Sequence, residues 1–132
     1  MSVIIANVSR VLGPVVHATS IAKARMLESV EVGEERLIGE IVRLQGNQIT
    51  IQVYEDTTGL TPGTAVYGSG MPLSVELGPG LIGTIYDGVQ RPLEEIKKAS
   101  DQYIRRGIKA PSLNRQKKWK FTPLVSPGET VS

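Results

Sequence analysis

The chain has 132 residues, a formal net charge of +2 and 40% apolar residues, which suits one average domain, or a small domain with a tail, and lies well above a disordered composition. It has no cysteine, which excludes a disulfide scaffold, a thiolate zinc site and a cysteine nucleophile. No run approaches the ~20 apolar residues of a membrane span, and Met1–Asn7 lacks the basic region and the apolar length of a signal peptide, so the expectation is a soluble, cytosolic protein.

The 14 glycines and 8 prolines point to many turns between short elements. Residues 3–9 and 12–17 are rich in Val and Ile and read as a strand, a kink at Leu12-Gly13-Pro14 and a continuing strand, with Gly13 as a bulge residue. Ala18–Ala24 reads as a connection, and Met26–Val32 as a short alternating strand closed by a turn at Gly33-Glu34-Glu35. Leu37–Leu44 and Gln48–Tyr54 flank Gln45-Gly46-Asn47 and predict a hairpin. In its second arm Ile49, Ile51 and Val53 share a buried face, while Gln48, Thr50 and Gln52 face water. After a polar loop at Glu55–Gly63 come short strands at Thr64–Tyr67 and Leu73–Leu77, punctuated by Gly68-Ser69-Gly70 and Gly78-Pro79-Gly80. Short strands at such regular spacing predict a mainly β chain built on a small closed barrel.

The character changes after Gly88. Residues 92–100 predict a helix of about two turns, with Pro92 at its start, Glu94 and Glu95 before Lys97 and Lys98, and Leu93 and Ile96 on one narrow apolar face. From Tyr103 to Lys120 the chain is basic, with Arg105, Arg106, Lys109, Arg115, Lys117, Lys118 and Lys120 and no acid. Phe121–Ser132 reads as a strand, a turn and the opening of another strand, as at a truncation.

Catalytic motifs are not found. His17 is the sole histidine and reads as a strand-end or surface residue. Glu34-Glu35 and Glu55-Asp56 are adjacent pairs in turns, where the expectation is solvated charge. No Gly-Lys dipeptide occurs, so the phosphate cradle G-x-x-x-x-G-K-[ST] is absent. Gly78-Pro79-Gly80-Leu81-Ile82-Gly83 mimics a dinucleotide fingerprint but is followed by no long helix. The basic stretch 103–120, with Tyr103, Trp119 and Phe121 as stacking groups, supports an alternative reading as an OB-like barrel that binds single-stranded nucleic acid.

Four ordered blocks carry a stronger signal: Gly39-Glu40-Ile41-Val42-Arg43-Leu44, Val53-Tyr54-Glu55-Asp56-Thr57-Thr58-Gly59-Leu60, Gly70–Leu81 and Ile85–Leu93. With Lys117-Lys118-Trp119-Lys120-Phe121-Thr122-Pro123 they resemble the start of the catalytic A subunit of V/A-type rotary ATPases and ATP synthases. The blocks at Leu77–Gly80 and Tyr86–Leu93 and the basic lead toward an insertion favour the A subunit over the related non-catalytic B subunit.

The resemblance implies a six-stranded crown barrel at residues 1–70, a linker toward the nucleotide-binding domain at 71–102, and at 103–132 the basic segment and the beginning of the inserted β domain. It implies as partners the alternating B subunits of the hexamer, the peripheral stalk subunits and the rest of the A subunit, with no nucleic acid and no membrane insertion. The setting it implies is cytoplasmic, in the soluble head of a proton or sodium pump or synthase. ATP and Mg would belong to the parent subunit, whose nucleotide contacts would lie beyond Ser132. No catalytic, cofactor or metal residue is expected here. Glu34, Thr50, Gln52 and Glu55 are the expected subunit contacts.

Overall fold

The computed structural model describes residues 3–100, Ser100 by its backbone alone, and residues 106–131. Met1, Ser2, Tyr103 and Arg105 lie outside the described residues. Six strands, β1 (Val3–Leu12), β2 (Val15–Ser20), β3 (Glu28–Val32), β4 (Leu37–Gln45), β5 (Gln48–Val53) and β6 (Ala65–Pro72), close into an antiparallel barrel in the order β1-β2-β5-β4-β3-β6. Closure leaves no unpaired edge in a sheet too small to hide one otherwise.

The alternation seen in the sequence is the physical cause. Ile49, Ile51 and Val53 point inward with Val16, Ala18, Val30, Val32, Leu37, Ile41 and Val66, all nearly free of solvent contact. A branched Val, Ile or Leu fully buried in this way contributes about 1.5–3 kcal/mol.

The expected kink at Gly13-Pro14 is a reversal instead. Leu12 pairs with Val15, so Gly13-Pro14 is the two-residue loop of a β1–β2 hairpin. Gly13 has φ +58°, the positive angle that a primed hairpin turn requires at its first loop position. The proline falls in the loop, where it removes no ladder donor. The bulge expected at Gly13 lies earlier, where a register shift between Val8 and Arg10 bends β1.

The registers define two poles. At one lie the β1–β2 loop, the β3–β4 turn at 33–36 and the loop 54–64. At the other lie the 21–27 connection, the Gly46-Asn47 turn and Pro72, where the chain leaves the barrel.

At this exit pole Glu28 is opposite Pro72 while Val30 is opposite Gly68, so β6 carries extra residues that β3 cannot match. The Glu28 carboxylate fills the gap. It is buried and accepts the Gly70 N–H at 2.8 Å and the Arg25 N–H at 3.0 Å.

Leu73–Leu77 forms no ladder, contrary to expectation, because every barrel strand already has two neighbours. The chain instead makes a 3₁₀ turn at Pro79–Leu81, a tight loop closed by the Tyr86–Pro92 bridge, and α1 (Leu93–Ser100). Ile96 is buried, whereas Leu93 is 36% exposed. Residues 106–131 contain turns and no strand, so the strands expected at 121–131 are not formed.

Candidate subunit interface and linker junction

The four expected contact residues fall into two groups. Thr50 and Gln52 share the outer face of β5, each half-buried. Thr50 Oγ1 lies 3.4 Å from His17 Nδ1 on β2, and Gln52 sits opposite Val15 and Glu40. Beside them the Tyr54 hydroxyl donates to Glu40 Oε2 at 2.9 Å, and burial, then this hydrogen bond, raise the phenol above its ordinary value. The stripe is polar and ordered by its own hydrogen bonds, so it presents fixed donors and acceptors to a neighbour.

Glu34 and Glu55 lie at the pole opposite the exit. Glu34 is exposed in the β3–β4 turn. Glu55 is engaged inside the chain: its side chain is 6% exposed and its Oε1 lies 2.5 Å from Arg91 Nη1. Its other oxygen accepts the Gly107 N–H at 2.6 Å.

Arg91 joins three segments. Besides Glu55 it pairs through Nε with Asp87 at 2.7 Å and donates to the Ile108 carbonyl at 3.0 Å. Asp87 Oδ1 also accepts the backbone N–H groups of Val89 and Arg91, at 3.1 and 2.8 Å. Partial burial would push the Asp87 carboxyl up, but these donors and the guanidinium together hold it below its ordinary value. Burial likewise opposes the charge on Arg91, and its carboxylate partners outweigh it, raising the guanidinium above its already high value.

The basic segment also folds back on the barrel. Arg106 Nε pairs with Glu35 at 2.5 Å, its guanidinium donates to the Thr58 carbonyl, and Lys109 Nζ pairs with Glu31 at 2.6 Å. Arg36 Nη1 reaches the same Glu31 at 3.1 Å and its guanidinium lies 3.5 Å from the centre of the Tyr67 ring. Arg115 pairs with Glu76, and Lys117 lies over Trp119 at 4.3 Å. Several cations that read as a nucleic-acid surface are therefore spent on carboxylates of this chain. Sequence reading missed this junction. Its sole local signal is Asp87 with Arg91 four residues on; Glu55 is 36 positions away.

No phosphate cradle is present in the sequence. Among the described residues no three His, Cys, Asp or Glu side chains gather where they could hold a metal ion. No helix of the described residues is long and apolar enough to cross a membrane.

Residues 8–70, nearly all of the barrel, match the β-barrel domain of the ATP synthase alpha/beta family. An A subunit (the one numbered 3) of the A-type ATP synthase of Methanospirillum hungatei is 60% identical over 122 residues, 92% of this chain and 21% of that protein. The chain belongs to the ATP synthase alpha/beta family. Within it, the A subunit of the A-type ATP synthase of Metallosphaera sedula is 56% identical over 126 residues, 95% of this chain and 21% of that protein. The V-type ATP synthase alpha chain of Thermoanaerobacter sp. is 53% identical over 125 residues, again 95% and 21%. The chain thus spans about a fifth of the length of these alpha/beta-family relatives. At 122–126 residues these alignments extend past the barrel.

Proposed function

We propose that this chain is the N-terminal assembly module of the catalytic A subunit of a V/A-type ATPase or ATP synthase. The parent couples ATP hydrolysis or synthesis to proton or sodium transport. In this reading residues 1–70 are the crown barrel, 71–102 lead toward the nucleotide-binding domain, and 103–132 open the insertion. ATP and Mg bind elsewhere in the parent, and this segment has no catalytic turnover of its own. Its partners are the alternating B subunits, the stalk subunits and the remainder of the A subunit. The setting is the cytoplasmic head of the complex, peripheral to the membrane.

The observation that carries the reading is the closed barrel in a chain this similar to A subunits. Catalytic domains that open and close around nucleotide need one layer of the ring that stays still. A barrel without free edges resists deformation, and its polar outer stripe offers a fixed surface for side-by-side docking. Thr50 and Gln52 are the proposed contacts, with Glu34 at the rim. Glu55 is assigned to the linker junction instead, since its carboxylate is already satisfied there.

The test uses the full-length A subunit carrying Thr50→Glu and Gln52→Lys, mixed with the B subunit in a concentration series read by native mass spectrometry. The variant is expected to fold but to form the hexamer only at higher protein concentration. Unchanged assembly would remove this stripe from the interface, and failure of the unmodified chain to associate with B at all would overturn the assembly reading.

A further inference from the structure

The chain leaves the barrel at Pro72, yet its next charged contacts with it lie at the opposite pole, on Glu31, Glu35 and Glu55. A linker attached only where it leaves would swing about Pro72; one attached at both poles cannot. We infer that Glu55, Arg91 and Gly107 form a clasp that fixes the orientation of the linker on the barrel, so that the two behave as one rigid body. The clasp rests on the junction geometry and is independent of the assembly reading.

Three features argue for a built junction over casual surface pairing. Glu55 and Arg91 are nearly sealed from solvent, with side chains 6% and 11% exposed, so the pair is little screened by salt. The arginine reaches three partners from two positions of its fork, Nε on Asp87 and Nη1 on Glu55 and the Ile108 carbonyl; lysine's compact ammonium does not reproduce that planar spread of donors. Gly107 has φ +71°, and a Cβ there would run into the Glu35 carbonyl oxygen, so only glycine lets its N–H reach Glu55 while the backbone touches the rim. Arg106 and Lys109 flank this point with more exposed pairs, which add direction more than strength.

The test is hydrogen–deuterium exchange on the full chain, comparing peptides that cover 86–93 and 106–110 with the core peptide 49–53. Losing one hydrogen bond to a charged acceptor speeds exchange roughly tenfold to a hundredfold. Glu55→Ala is expected to do this at 106–110 and to a lesser degree at 86–93, while 49–53 is unchanged. Arg91→Lys, which keeps the charge and much of the volume, is expected to loosen the same two peptides by a smaller factor. Exposed Lys23→Gln is the control and is expected to change neither. The inference is overturned if 106–110 exchanges no more than about twofold faster in Glu55→Ala, well short of the loss of one such bond. It is equally overturned if 49–53 accelerates as much, since Glu55 would then support the barrel as a whole. Should Glu55→Ala fail to fold, Arg91→Lys decides: unchanged exchange at both linker peptides overturns the clasp.

Discussion

Glu28 offers the most exacting check on the barrel's construction. Its buried carboxylate is the acceptor for two backbone N–H groups, Gly70 at 2.8 Å and Arg25 at 3.0 Å, where the β3–β6 ladder loses register. Glu28→Ala removes both. Hydrogen bonds to a charged group contribute about 1.5–3 kcal/mol each. Arg25 and Gly70 are themselves exposed, so water can reach their freed N–H groups and the lower end applies, about 3 kcal/mol for the two. That is a large share of the ~5–15 kcal/mol that holds a domain of this kind together. Equilibrium urea unfolding, with a slope of about 1–3 kcal/mol per molar, should show the midpoint fall by roughly 1–3 M. Glu28→Gln keeps one acceptor but aims an amide N–H₂ at a backbone donor, and should fall between Glu28→Ala and the unmodified chain. A midpoint shift for Glu28→Ala corresponding to less than about 0.5 kcal/mol, the scatter of ordinary surface changes, would refute the assignment of Glu28 as the residue that closes the β3–β6 gap.

Acid should loosen the linker junction before the barrel core. Because the folded Asp87 carboxyl lies below its ordinary value of 3.8, its contribution is complete above that value and is lost as pH falls through the lower, folded one. Tyr86–Leu93 should therefore lose exchange protection below pH 3.8 ahead of residues 49–53, and Asp87→Asn should abolish this acid step. Ile51→Ala, at a site without solvent exposure, should cost about 2–5 kcal/mol in urea unfolding. Val42→Ala, on an exposed strand position, should stay within roughly 0.5 kcal/mol.

What was legible in the sequence was local. The hairpin of β4 and β5 follows from period-two burial at Ile49, Ile51 and Val53 and from a turn of residues that tolerate positive φ. Helix α1 follows from Pro92, its acids and its bases within a few positions of one another. Glu28 is within reach of the same logic, since spacing by two puts it on the inward face of Val30 and Val32. Alternation alone does not reveal that a carboxylate on that face stays buried, because its two N–H donors come from Arg25 and from Gly70 on another strand.

By itself the sequence determined the β4–β5 hairpin, helix α1, the buried face of β5 and the family, because alternation, turn chemistry and ordered blocks of residues are carried by neighbours along the chain. Tertiary structure alone decided the rest. Gly13-Pro14 is a reversal because β2 pairs back along β1. Leu73–Leu77 stayed unpaired because closure had used every edge. Glu55 became a partner of Arg91 and Gly107 only when the chain, having left at one pole, came back to the other. Such pairings depend on where closure places distant segments, and charge identity along the sequence carries no record of that distance.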